Sequence, residues 1–180
     1  MVNGYKKIRQ ELVYKGHIVD VYKDILELPN GKEVEWDFVK HKGASAVVAV
    51  DHDGKILMVR QYRNSLDRMS IEIPAGGINV GEEPKAAAIR ELEEEAGQRA
   101  GKVEHLVDAV TAIGFSNETI YIYVATDLVQ TEQKLDEDEF VQIERYSLEE
   151  LVGMILDGTI KDAKTITGIL TYQAKMVGKN

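Results

Sequence analysis

The stretch from Gly76 to Gly97 constrains this chain more than any other. Gly76-Gly77-Ile78-Asn79-Val80-Gly81-Glu82-Glu83 leads into Pro84-Lys85-Ala86-Ala87-Ala88-Ile89-Arg90-Glu91-Leu92-Glu93-Glu94-Glu95-Ala96, and Gly97 follows. Proline has no N–H to donate and fits a first helical turn, while glycine just past the end accepts a left-handed backbone, so the stretch predicts a helix over 84–96. At roughly 100° per residue, Glu91 and Glu95 share one face with Glu94 beside them, and Ile89, Leu92 and Ala96 turn toward a core. Like charges four residues apart weaken a helix by roughly 0.2 to 0.5 kcal/mol per pair, and the C-terminal half also disfavours anions through the dipole. Arg90 can bridge to Glu94, which leaves Glu91 and Glu95 without a cation on the helix. A Glu-rich helix is more often a solvated face, and a glycine pair alone is a common turn. In this order, however, the two point to a hard cation such as Mg²⁺, which takes carboxylate and carbonyl oxygens and completes its shell with phosphates.

Around this helix the chain reads largely as strands. Val19 to Leu28, the turn Pro29-Asn30-Gly31 and the run through Val34, Trp36, Phe38 and Val39 form one hairpin signal. Ala46 to Val50 and Ile56 to Val59, joined by Asp51-His52-Asp53-Gly54, form a second. Further strands are expected at Ser70 to Ile73, Val103 to Thr111, Thr119 to Ala125 and Phe140 to Tyr146. Ser147 with Glu150 makes a capping box for a helix through Leu156, stopped near Gly158. Asp162 caps a last helix from Ala163 to Val177, which ends at Gly178. Strands, a helix, more strands and two helices predict an α/β (α+β) fold with a mixed central sheet between helices rather than a doubly wound parallel sheet. The first roughly 40 residues form either a small sheet of their own or an extension of the main one.

Composition excludes several classes. A net charge of -9 argues against coating nucleic acid, where Lys and Arg must neutralise many phosphates. The chain holds no cysteine, which removes disulfides, thiolate metal sites and a Cys nucleophile and fits a reducing compartment. There is no apolar run of about 18 residues, so no membrane partner is expected and the placement is soluble and cytoplasmic. The four histidines, His17, His41, His52 and His105, lack ligand spacing. No Ser or Thr motif marks a nucleophile, so direct attack by water is preferred.

Gly76, Glu82, Arg90-Glu91-Leu92, Glu94-Glu95 and Gly97 stand at every fixed position of the Nudix signature G-x5-E-x7-R-E-U-x-E-E-x-G-U. The chain therefore resembles the Nudix hydrolases; its one departure is Gln98, where the pattern ends in a large apolar residue. Arg60-Gln61-Tyr62-Arg63, Ile71 to Gly76, Gly114-Phe115-Ser116-Asn117-Glu118, Leu135-Asp136-Glu137-Asp138-Glu139 and Ile160 to Thr165 look like the ADP-ribose pyrophosphatase branch. That branch carries a Pro where this chain has Ile113, so the substrate is less constrained than the family.

The resemblance implies a Nudix-type α/β/α sandwich over 46–180 and an N-terminal antiparallel sheet over 1–45 that packs across a homodimer. It also implies Mg²⁺-dependent cleavage of ADP-ribose, or a related ADP-sugar, to AMP and a sugar phosphate, with Mn²⁺ as the alternative ion. The metal ligands would be Glu91, Glu95, Glu94 and the carbonyl of Ala75, and the proton acceptor Glu137 or Glu139. Arg63 and Glu72 are nominated for substrate contact, with Arg60 and Arg68 as rivals for the phosphate; Trp36 would stack on the base. Arg90 and Glu82 are expected to hold the glutamate row and its loop. Two other functions fit the same residues: a pyrophosphatase for another nucleoside diphosphate derivative such as a GDP-sugar, and a sensor that binds ADP-ribose without cleaving it.

Overall fold

In the computed structural model, which describes residues 2–135, 137 and 139–178, the chain forms two compact units, Met1–Gly43 with Val110–Thr119 and Ala44–Ala109 with Ile120–Asn180. The first unit is built on an antiparallel sheet in the order β1 (Lys6–Lys15), β2 (Asp20–Glu27), β3 (Glu33–Lys40). The expected Pro29-Asn30-Gly31 turn joins β2 to β3: the Gly31 N–H donates to the Leu28 carbonyl at 2.9 Å, with Gly31 at φ +80°. Strand β1 was not expected. Every one of its residues is exposed, so KKIRQELVYK carries none of the in–out alternation that marks a half-buried strand. The segment 110–119 joins this unit through Val39, whose N–H donates to the Phe115 carbonyl at 2.7 Å.

The second unit contains β4 (Ala44–Val50), β5 (Ile56–Arg63), β6 (Arg68–Glu72), β7 (Ala75–Gly77), β8 (Gln98–Val110), β9 (Thr119–Gln130) and β10 (Gln142–Tyr146). Their order is β10-β5-β4-β9-β8, with β6 paired to β5 and β7 to β4. The β4–β9 pairing is parallel while β4–β5, β4–β7, β5–β6 and β5–β10 are antiparallel, which makes the sheet mixed. β4 lies at its centre and is buried on both faces, as its nearly unbroken apolar run ASAVVAV requires.

Successive β4 side chains divide between two cores. Val47 and Ala49 pack with Ala88, Leu92 and Ala96 of α1 (Pro84–Ala96). Ala46 and Val48 pack with Leu151 of α2 (Leu148–Leu156) and Ile169 of α3 (Ala163–Val177). One helix on one face and two on the other is the expected α/β/α sandwich. The helix limits follow their local signals: Pro84 opens α1, Gly97 closes it at φ +58°, Ser147 and Glu150 form the capping box, and Asp162 accepts from the Thr165 N–H at 3.0 Å. Gln98, where an apolar residue was expected, is buried with its Nε2 2.5 Å from the Gln130 Oε1.

Candidate active site

Helix α1 carries Arg90, Glu91, Glu94 and Glu95, and the short strand β7 lies against it because β4 binds both. The Ala75 N–H donates to the Glu95 Oε2 at 2.9 Å. At Gly76 a Cβ would lie 2.2 Å from the Glu91 carboxyl carbon and from one of its oxygens, so only glycine admits this approach. The Ala75–Gly76 backbone thus touches both carboxylates.

Arg90 has more partners than expected. Its guanidinium meets Glu94 at 2.8 Å, Glu91 at 2.6 Å, Glu82 at 2.9 and 3.0 Å and the Gly77 carbonyl at 2.9 Å. The expectation that Glu91 lacks a cation on the helix is therefore corrected: the fork is wide enough to serve Glu91 and Glu94 together. Glu82 also accepts from the Asn79 N–H at 2.9 Å, and its carboxyl is held below the usual range chiefly by Arg90, which outweighs burial, with Asn79 assisting. Loop and helix are tied by one arginine.

Burial raises the Glu91 carboxyl; Arg90 opposes this, while Glu94 and Glu139 add to it. Glu95, 3% exposed, has only a backbone N–H as direct partner among the described residues. Burial pushes it up to about 8, with Glu91 and Glu139 adding and Ala75 and Arg63 opposing. Two adjacent carboxylates that are costly to ionise, with backbone pressed against both, form a donor set that a divalent cation fits, because its charge reverses the sign of the problem.

The position of Glu139 follows from the C-terminal end of α1. The orphan carbonyls there are taken by the segment after β9: Lys134 N–H to Glu94 O at 2.9 Å, Gln133 Nε2 to Glu95 O at 2.6 Å and Thr131 N–H to Gly97 O at 2.8 Å. Glu137 and Glu139 are both exposed beyond this anchor. Glu139 is near enough for its charge to raise both Glu91 and Glu95. The neighbouring Asp136 and Asp138 lie outside the described residues.

Arg63 and Glu72, nominated separately for substrate, are joined to each other by two hydrogen bonds of 2.8 and 2.7 Å. Glu72 is 2% exposed and is also bonded by Lys164, whose ammonium reaches Asp162 at 3.0 Å. Burial alone would raise Glu72; the Arg63 hydrogen bond and the Lys164 charge overcome it and hold the carboxyl at about 2. Lys164 was not singled out from sequence, since 92 residues separate it from Glu72 and only the fold joins them. The arrangement is fixed further by Thr165, which donates to Asp162 at 2.6 Å and accepts from the Ile73 N–H at 3.0 Å.

Of the other nominees, Arg60 pairs with Glu144 at 2.6 Å, and Arg68 is exposed at the start of β6. Trp36 lies on β3 of the first unit, half exposed, with its ring 6.3 Å from that of Tyr5. Ile113 is 87% exposed. Among the described residues, the one group of three His or acidic side chains whose ligand atoms all lie within 4.8 Å of one another is Asp51, His52 and Asp53. It occupies the β4–β5 turn, where Asp51 accepts from the Asp53 and Lys55 N–H groups, both at 2.9 Å, and it serves that turn. Among the described residues the α1 glutamates are not so closely gathered; one Arg90 nitrogen bridges Glu91 and Glu94.

A family model described as the NUDIX domain matches residues 39–168. The chain is 42% identical over 172 residues to an ADP-ribose pyrophosphatase of Bacillus subtilis (strain 168), covering 94% of this chain and 93% of that protein. It is 41% identical over 170 residues to a methanol dehydrogenase activator of Bacillus methanolicus, covering 93% and 92%. A solved structure described as an ADP compounds hydrolase superposes with a TM-score of 0.87 at 23% identity, covering 100% of this chain and 98% of the other, a likeness of fold.

Proposed function

Since this chain belongs to the Nudix family and is a pyrophosphohydrolase of that kind, we propose that it hydrolyses the pyrophosphate bond of ADP-ribose, or of a related ADP-sugar, with Mg²⁺. The observation that carries this reading is the pair Glu91 and Glu95, buried against the Ala75–Gly76 backbone. Glu91 and Glu95, with Glu94 and the Ala75 carbonyl, would hold the divalent ion, which when bound neutralises phosphate oxygens and lowers the pKa of the attacking water. Arg63, held by Glu72 and still 39% exposed, has donors to offer a phosphate in a bidentate contact. Glu139 takes the proton from the water as its oxygen bonds to phosphorus and the bridging P–O bond breaks, giving AMP and a sugar phosphate. Trp36, half exposed on β3, is the residue proposed to stack on the base.

Strand β1 supports a homodimer. It is an edge strand with Leu12, Val13 and Tyr14 each more than half exposed, an arrangement that invites pairing with a second chain. The enzyme is expected in the cytoplasm, where nucleotide sugars and Mg²⁺ are at hand and a chain without cysteine needs no oxidising environment. Light scattering at micromolar concentration should give twice the chain mass, and a monomer would sink the dimer.

The decisive assay incubates the protein with Mg²⁺ and ADP-ribose, ADP-glucose or GDP-mannose and follows release of mononucleotide. AMP release, lost in Glu95→Gln and reduced about a hundredfold in Glu139→Gln but not in Glu137→Gln, is the expected result. Turnover of GDP-mannose alone would move the substrate, and tight ADP-ribose binding without turnover would make the chain a sensor.

A further inference from the structure

We infer that Gln98, the one departure of this chain from the signature, is a positioning residue: through Gln130 it seats residues 130–134 against the last turn of α1 and so steadies Glu94 and Glu95 for the ion they are proposed to hold. The inference rests on that reading of the two glutamates as metal ligands. An apolar residue at position 98 would fill space and do nothing else. Gln98 is 6% exposed at the start of β8, and a buried amide must find a partner.

The chemistry of the contact fixes its direction. The Gln130 Nε2 donates to the Gly97 carbonyl at 3.0 Å and to the Thr131 carbonyl at 2.9 Å. Carbonyls only accept, so both hydrogens of that amide are used and the Gln130 Oε1 is the atom turned to Gln98. Gln98 must therefore donate, and its Nε2 lies 2.5 Å from that oxygen. A leucine or methionine at 98 lacks the donor, and a glutamate would set oxygen against oxygen.

The seat is closely fitted. Gly97 stands at φ +58°, and a Cβ there would come 3.0 Å from both the Gln133 nitrogen and the Thr131 carbonyl oxygen. The Thr131 hydroxyl is buried with no partner among the described residues, a cost that the contacts around it must offset. From this seat the chain reaches the site. The Gln133 Nε2 donates to the Glu95 carbonyl at 2.6 Å and the Lys134 N–H to the Glu94 carbonyl at 2.9 Å. Those are carbonyls that the helix itself leaves unpaired, and the two proposed ligands project from the same turn. Losing a group that holds a ligand in place weakens metal binding by roughly ten- to a hundredfold. Gln133 bonds a ligand residue directly, while Gln98 acts through Gln130, so its effect is the smaller.

Titration of the full chain with Mn²⁺, without substrate, tests this, with the free ion followed by electron paramagnetic resonance. Gln133→Ala should raise the Kd about tenfold. Gln98→Met keeps the length and bulk of the side chain without the donor and should raise it severalfold. The double variant should fall short of the product of the two, because both act through one seat. Ile169→Val, in the core on the other face of the sheet, should lower the melting temperature and leave the Kd unchanged, which separates positioning from loss of stability. A Kd for Gln98→Met equal to the parent's, or effects that multiply in full, overturns the inference while Glu95→Gln still removes binding. Equal Mn²⁺ binding by the parent and Glu95→Gln overturns the metal-ligand reading as well.

Discussion

Replacing Glu95 by Gln should make the metal-free protein more stable while removing its activity. Folding moves this carboxyl from 4.5 to about 8, chiefly through burial. An acid whose pKa rises on folding favours the folded state below its unfolded value and loses that advantage as pH climbs through the folded one. At about 1.4 kcal/mol per pH unit, the ionisation penalty is below about 1 kcal/mol at pH 5 and roughly 4 kcal/mol at pH 8. Glutamine keeps an oxygen for the Ala75 N–H and has no charge to bury. For a domain of this size the difference corresponds to a melting temperature on the order of 10 °C higher for Glu95→Gln at pH 8 in EDTA, shrinking toward zero at pH 5. Saturating Mg²⁺ should raise the parent by mass action and leave the variant nearly unmoved. Thermal melts of both proteins from pH 5 to pH 8, with and without Mg²⁺, read all of this. Parallel pH dependence of the two proteins in EDTA would refute the reasoning.

Gly76→Ala places a methyl 2.2 Å from the Glu91 carboxyl and should lower turnover more than a hundredfold, whereas a Cβ at Gly77 meets nothing within 4 Å and Gly77→Ala should be nearly silent in the same assay. Glu72→Ala removes the carboxylate shared by Arg63 and the nearly buried Lys164, and denaturant titration should show a loss of about 3 to 5 kcal/mol. Because the Glu72 carboxyl is depressed from 4.5 to about 2, its contribution is present above pH 4.5 and fades as pH falls toward 2, which the acid limb of the parent's stability curve should show and the variant's should lack. Thr165→Val keeps the shape but strands the buried Ile73 N–H and should cost about 1 to 3 kcal/mol by the same titration.

The parts that sequence revealed are those governed by neighbours along the chain. Pro84 and Gly97, Ser147 with Glu150, and Asp162 mark helix ends because a cap satisfies groups only a few residues away. β4 was legible because burial on both faces demands an unbroken apolar run. β1 was not, since an exposed strand imposes no pattern, and β7 was not, since three residues that include two glycines hold strand geometry only through β4. At the site, the spacing put Glu91, Glu94 and Glu95 on one helix, but the number of partners on Arg90 depends on how the Gly76–Glu82 loop folds back. The Glu72–Lys164 contact joins residues brought together by β6 and α3, which no local signal announces.

The anchoring of residues 131–134 to the end of α1 sets a tether. Lys134 is held there through its backbone, and Glu139 follows five residues later, so its reach from that point is at most about 18 Å. Each residue inserted or deleted between them changes that limit by about 3.5 Å, more than the length of a hydrogen bond. Substitutions between Lys134 and Glu139 would therefore be tolerated far better than changes in length, and a related chain could move the proposed proton acceptor to another substrate geometry by a single insertion without touching the helix proposed to hold the metal.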